Sequence, residues 1–256
     1  MTVSINDERK NDLLNKVRDF AKSGKRRSLK DFQSIAGHVN WSLAVFPLLK
    51  PALSAIYAKM AGKTQSMASI FVNNAVREQL LWFAKHAQDS DGIFLLKSVV
   101  WDPTVDLADA TICYTDACLD GMAYWFPESN LGFQCPIPAN AEKKHIFYFE
   151  ALAVTCAILD SSHTSRRLVI LSDNQNTVDI WHSLKASAPY NQLLIIGIDK
   201  LIESKTDARV LHVPGIDNDV ADALSRFKNE LALWLAPALH IFPFQPPHDM
   251  LGAAKK

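Results

Sequence analysis

Four carboxylates stand where strand-like runs end or helix-like runs begin: Asp116 closing ATICYTD, Glu150 opening FEALAVTCAIL, Asp173 closing RLVILSD, and Asp222 within DVADALSR. None belongs to a surface charge run. Acidic groups that converge from separate elements repel one another unless a cation neutralises them, so the set is suited to hold magnesium and to act on phosphodiesters. Other acids suit humbler work: Asp120, Asp179, Asp217 and Asp219 are expected in turns, on a helix surface and at caps. Asn218, four residues before Asp222, is expected to cap the last helix of its region.

Composition narrows the field. The 256 residues carry no formal net charge and are 48% hydrophobic, enough for one large or two small globular domains. A neutral chain does not wrap nucleic acid by bulk charge, so any such contact must come from local patches. The one dense basic cluster is Lys22, Lys25, Arg26, Arg27 and Lys30. It reads either as a phosphate contact or as a solvated connection between two helices. Cys113, Cys118, Cys135 and Cys156 lack CxxC spacing and mostly lie in apolar runs, where thiols act as small hydrophobes in a reducing compartment. No apolar run nears the roughly 18 residues that cross a bilayer, and MTVSINDERK is too polar for a secretory signal. The expectation is a soluble protein of the cytoplasm or nucleus, neither secreted nor membrane-bound.

The elements that must carry these residues fall into two groups. Up to about residue 90 the periodicity is helical: Leu13, Leu14, Val17 and Phe20; then Phe32, Ile35 and Val39 after a capping box at Ser28 and Asp31; then Val72, Val76, Leu80 and Phe83. Pro47 and Pro51 predict a break before a third helix that runs to about Met60. Residues 91–108 read as a linker. From 109 to 230 the pattern alternates: strands at 110–115, 121–126 and 131–135, a helix at 148–161, a strand at 167–171, helices at 175–184 and 190–203, a strand at 208–213, and a helix at 217–227. This order predicts an α/β fold, a mixed sheet with helices on its faces. The segment 231–256, with its FPFQPP, is expected to be a tail without a regular element from about 236. Trp41, Trp82, Trp101, Trp125 and Trp181 are expected in the core rather than stacked on bases.

YTDACLDGMAYWF, FYFEALAV, VILSDNQNTV and HVPGIDNDVADALSR, in that order, resemble the ribonuclease H domain of retroelement reverse transcriptases. SLKDFQSIAGHVNWSLAVFPLLKPALSAIYAKM resembles the thumb-like stretch of those enzymes, in particular of DIRS-type tyrosine-recombinase retrotransposons. The resemblance implies a ribonuclease H-like sheet, three antiparallel strands then parallel ones, after a small all-helical domain. It further implies two Mg2+ ions, or Mn2+ in their place, about 4 Å apart on Asp116, Glu150, Asp173 and Asp222, with Asp116 shared between them. The activity implied is endonucleolytic cleavage of the RNA strand of an RNA/DNA hybrid.

The same resemblance gives His212 a part in proton transfer, which an imidazole with an ordinary pKa near 6.5 suits. The plainer reading is a histidine that closes a strand. Two features depart from cellular ribonucleases H. Where those often place asparagines before the helix glutamate, this chain has Ile146, Phe147, Tyr148 and Phe149, so contact with ribose 2′-hydroxyls falls to Asn174, Gln175 and Asn176. No Lys-rich helix follows in the second region, so grip on the substrate falls to the basic cluster at 22–30. No YxDD occurs, so polymerisation is not expected, and a separate polymerase palm domain is a conceivable partner. The competing expectation is a non-catalytic nucleic-acid or protein interaction module that keeps the fold.

Overall fold

Leu13, Leu14, Val17 and Phe20, spaced for one helical face, form the buried side of α1 (Asp7–Phe20), whose first turn is capped by the Asn6 side chain accepting from Glu8 N. The computed structural model describes residues 4–22, 24–90, 101–103, 110–137, 146–160, 166–247 and 250–251. The chain divides into two compact units, Met1–Trp101 with Leu184–Asn191, and Asp102–Ser183 with Gln192–Lys256. Almost all of the linker expected over 91–108 lies outside the described residues.

In the first unit, Ser28 and Asp31 close a reciprocal capping box at the start of α2 (Leu29–Ser42). Pro47 and Pro51 confine the next turns to a 3-10 segment, Pro47–Leu53, and α3 (Ser54–Met60) follows. Asn73 caps α4 (Asn74–Asp89), which buries Val76, Leu80 and Phe83 and packs on α1. Besides these helices the unit holds a ribbon that periodicity did not reveal: β1 (Arg26–Ser28) pairs antiparallel with β2 (Ser69–Phe71). Three residues are too few to display a period of two. Leu184–Asn191 completes the unit, with Ser54 Oγ donating to Ala186 O at 2.7 Å and Asn191 Nδ2 to Pro51 O at 3.1 Å.

The second unit is built on a six-stranded sheet. Its strands are β3 (Ala110–Ala117), β4 (Gly121–Phe126), β5 (Leu131–Pro136), β6 (Arg167–Ser172), β7 (Asp207–His212) and β8 (His240–Pro243), in the order β7-β6-β3-β4-β5-β8. β3, β4 and β5 form an antiparallel meander, while β6 and β7 run parallel to β3 on its other side. This is the mixed α/β arrangement expected from the sequence, an antiparallel meander and then parallel strands, with β3 inside the sheet. β8 is a correction: the segment from about 236, expected to lack a regular element, adds an edge strand parallel to β5, and α9 (Asn229–Leu235) comes just before it, across the boundary expected at 230. Pro243 is tolerated there because an edge strand has a side that needs no donor.

Helices cover both faces. α5 (Ile146–Leu159) is apolar all round and accordingly buried. Tyr124 on β4 donates to Asp160, just beyond the end of α5, at 2.7 Å, and Tyr148 donates to Met250 O at 2.9 Å, so a C-terminal residue also covers this helix. α6 (Gln175–Ser183) and α7 (Tyr190–Ser204) meet it where a Cβ at Gly197 would lie 2.4 Å from the Trp181 ring and 3.5 Å from Ile158. Ala123, next to Tyr124 and so on the opposite face, packs with Val220, Ala223 and Leu224 of α8 (Asp219–Ser225), Ala232 of α9, and Leu239. Trp101 and Trp181 are buried as expected, whereas Trp41 is exposed. No described helix is long and apolar enough to cross a membrane.

Candidate metal centre

Asp116 is the penultimate residue of β3, and Asp173 directly follows β6, the parallel neighbour of β3. Parallel pairing therefore brings both carboxylates to one end of the sheet. Glu150 enters from the second turn of α5. One oxygen from each of Asp116, Glu150 and Asp173 lies within 4.8 Å of the other two. Asp116 is 4% exposed and Glu150 5%, while Asp173 is half-buried.

Desolvation dominates the electrostatics here. Burial, then repulsion from Asp173 and Asp222, pushes Asp116 up to about 6, against the pull of a hydrogen bond from Ser225. Burial and the charges of Asp116 and Asp173 push Glu150 up to about 9, and its Oε2 is buried without a hydrogen-bond partner. Asp173 is also raised, first by burial, while nearby His212 and Arg226 draw it down. Three mutually repelling acids, one with an orphaned oxygen, form a site short of positive charge. A hard divalent cation with oxygen ligands fits that donor set, with Asp116, Glu150 and Asp173 as its ligands.

Asp222 stands apart from this trio. It is close enough to raise both Asp116 and Asp173, yet its Oδ1 accepts from Arg226 Nε at 2.6 Å, four residues along the chain. His212 is exposed at the end of β7, paired with Ser172, the residue before Asp173. Asn174 spends its Oδ1 on the start of α6, accepting from Thr177 N at 3.1 Å, and Gln175 donates to Asp179 at 2.8 Å; Asn176 is exposed. The basic cluster lies on and around β1 in the first unit. Lys22 and Arg27 both pair with Asp19, at 2.7 and 2.8 Å, while Lys25, Arg26 and Lys30 are exposed.

Two further residues of the site were not singled out from the sequence. The Ser225 hydroxyl donates to Asp116 Oδ2, and Arg226 holds Asp222. An aspartate and an arginine four apart on a helix is a pairing visible in sequence; nothing in sequence shows that Ser225 reaches another strand. Asn218 is a correction: it stands at the N-cap position of α8 without capping it, and its Nδ2 donates to Thr115 O at 3.0 Å instead. Its side chain ties the loop to β3 beside Asp116.

The mixed sheet thus gathers Asp116 and Asp173 at one end of two neighbouring central strands, and comparison with known proteins gives the following. Residues 140–228, which contain Glu150, Asp173, His212 and Asp222, match the family described as reverse transcriptase-like. No curated protein matches the sequence. Among solved structures, the chain is similar to ribonuclease H1 from the halophilic archaeon Halobacterium salinarum NRC-1, at 14% identity over 47% of this chain and 98% of that one, with a TM-score of 0.38. It is also similar to a foamy viral protease-reverse transcriptase in complex with RNA/DNA hybrid, at 12% identity over 89% of this chain and 50% of that one, with a TM-score of 0.34. A dRH form of the foamy viral protein in complex with double-stranded DNA gives 11% identity over 83% and 35%, with a TM-score of 0.31. The chain thus spans half or less of the foamy viral proteins.

Proposed function

We propose that this chain is a metal-dependent endonuclease that cuts the RNA strand of an RNA/DNA hybrid, from a retroelement reverse transcriptase of the DIRS type. The observation that carries the reading is the buried trio Asp116, Glu150 and Asp173, within 4.8 Å and short of positive charge. The match of residues 140–228 to reverse transcriptase-like sequences supports a nucleic acid as substrate. Magnesium is the ion proposed, with manganese as its substitute, and four free, buried cysteines accord with an intracellular setting.

In this reading Asp116, Glu150 and Asp173 hold the metal, which when bound supplies Lewis-acid polarisation of a phosphodiester and a more acidic water. The chain's own part is placement. β3, β6 and α5 bring three carboxylates together on rigid elements, so little freedom remains to be lost on binding. Arg226 keeps Asp222 at the rim, available as a fourth ligand. His212, exposed at the end of β7 near Asp173, is the residue proposed to assist proton transfer. Lys25, Arg26 and Lys30 offer phosphate contacts, and Asn176 a ribose contact.

The direct test is a labelled RNA/DNA hybrid incubated with the protein and Mg2+, alongside single-stranded RNA, duplex DNA and EDTA controls. Hybrid-specific, EDTA-sensitive cutting is expected, and Asp116→Asn should abolish it while the melting temperature in EDTA stays at or above that of the wild type. Cleavage by Asp116→Asn at the wild-type rate would remove the reading. A wild type that binds hybrid without cutting it points instead to a non-catalytic interaction module.

A further inference from the structure

Ser225 is the last residue of α8 and is wholly buried, yet its hydroxyl crosses to another element and donates to Asp116 Oδ2. The same hydroxyl lies 3.0 Å from Asp222 O, one turn back on its own helix. A hydroxyl has one proton for these two acceptors, and an ionised carboxylate is the stronger claimant, because charge-assisted bonds are about twice as strong as neutral ones. The contact is also braced. Ser225 O accepts from Cys118 Sγ at 3.2 Å, two residues beyond Asp116, and a Cβ at Gly121 would come within 2.5 Å of it. Asn218, at the other end of α8, donates to Thr115 O. Both ends of the helix are thus fastened to β3 or its turn, on either side of Asp116.

We infer that Ser225 is a positioning residue for Asp116: by fixing one carboxylate oxygen it sets the rotation of the side chain and so the direction in which Asp116 offers itself to a divalent cation. This rests on the metal-centre reading above. A carboxylate without such a partner rotates about its last side-chain bond and loses that freedom only when metal binds, which weakens binding. Fastening through the neighbouring helix does that ordering in advance. Arg226, the next residue, holds Asp222, so a two-residue step in the chain governs two of the four acids.

Calorimetric titration of the full chain with Mg2+ tests this without reference to catalysis. Ser225→Ala should weaken Mg2+ binding by about tenfold or more, the usual effect of removing a hydrogen-bond partner of a ligand. Leu224→Val, which thins the adjacent core without touching Asp116, should lower the melting temperature in EDTA but leave the affinity within about twofold of wild type. Equal affinity for Ser225→Ala and wild type overturns the inference, as does equal weakening by Leu224→Val, since the effect would then be general loosening. If Ser225→Ala gives no cooperative melt, Ser225→Cys keeps the size with a poorer donor. It should bind Mg2+ more weakly than wild type, and undiminished binding overturns the inference. A wild type that takes up neither Mg2+ nor Mn2+ overturns the metal-centre reading itself, an outcome distinct from a wild type that binds and a serine variant that binds equally well.

Discussion

At the scale of single residues, Glu150 concentrates the cost of this site. Its carboxyl ordinarily titrates near 4.5 and is pushed up to about 9 in the fold, first by burial and then by Asp116 and Asp173. The folded chain therefore keeps a proton that the unfolded chain releases. Stability from this source is complete below pH 4.5, drains as the pH rises, and levels off above about 9. Asp116, raised to about 6, adds a smaller loss of the same sign. Melts in EDTA should accordingly show the wild type weakening between pH 6 and pH 8, and Glu150→Gln should flatten that slope and melt higher at pH 8, a gain on the order of a few kcal/mol. Parallel pH profiles for the two proteins would contradict this assignment. The four acids were readable from sequence because each stands at the edge of an apolar run. The hydrogen bond from Ser225 was not, because it joins residues 109 positions apart.

Among the elements, the short helix α8 decides most. Val220, Ala223 and Leu224 bury one face against Ala123 and α9, while Asp222 and Arg226 turn to the solvent side of the site. The approach of its C-terminal end to the sheet depends on Gly121, the first residue of β4, where any Cβ would meet Ser225 O at 2.5 Å and the Phe227 ring at 2.6 Å. Gly121→Ala should thus push the end of α8 away from β3, costing about 1–3 kcal/mol of stability and weakening Mg2+ binding at the same time. Denaturant melts and calorimetry on one preparation would reveal both losses, and a stable variant with intact affinity would show that the approach is not needed. The strands and helices of this unit were legible because their periods of 2 and 3.6 are strong and turn residues separate them. α9 and β8 were hidden, since a four-residue edge strand ending in proline carries no period, and only its pairing with β5 makes it a strand.

For the whole molecule, a formal net charge of zero means that binding to a hybrid must draw on local cations. Lys25, Arg26 and Lys30 are exposed, whereas Lys22 and Arg27 are occupied by Asp19. If the three exposed residues neutralise phosphates, replacing all of them with alanine should flatten the plot of log affinity against log salt by about 0.7–0.9 for each phosphate no longer neutralised. An unchanged slope would leave the cluster as a solvated connection. Composition and periodicity by themselves determined the α/β class with its mixed sheet and the acids worth watching, because these follow from local patterns of burial, while the parallel strands after the meander were implied by the resemblance. Only the tertiary structure decided that Asp116, Glu150 and Asp173 bring ligand atoms within 4.8 Å of one another while Asp222 leans on Arg226, that Asn218 serves β3 rather than its own helix, and that residues 184–191 belong to the first unit. Those outcomes depend on distances between residues far apart in the chain, which no local pattern encodes and which only the packed sheet and its helices set.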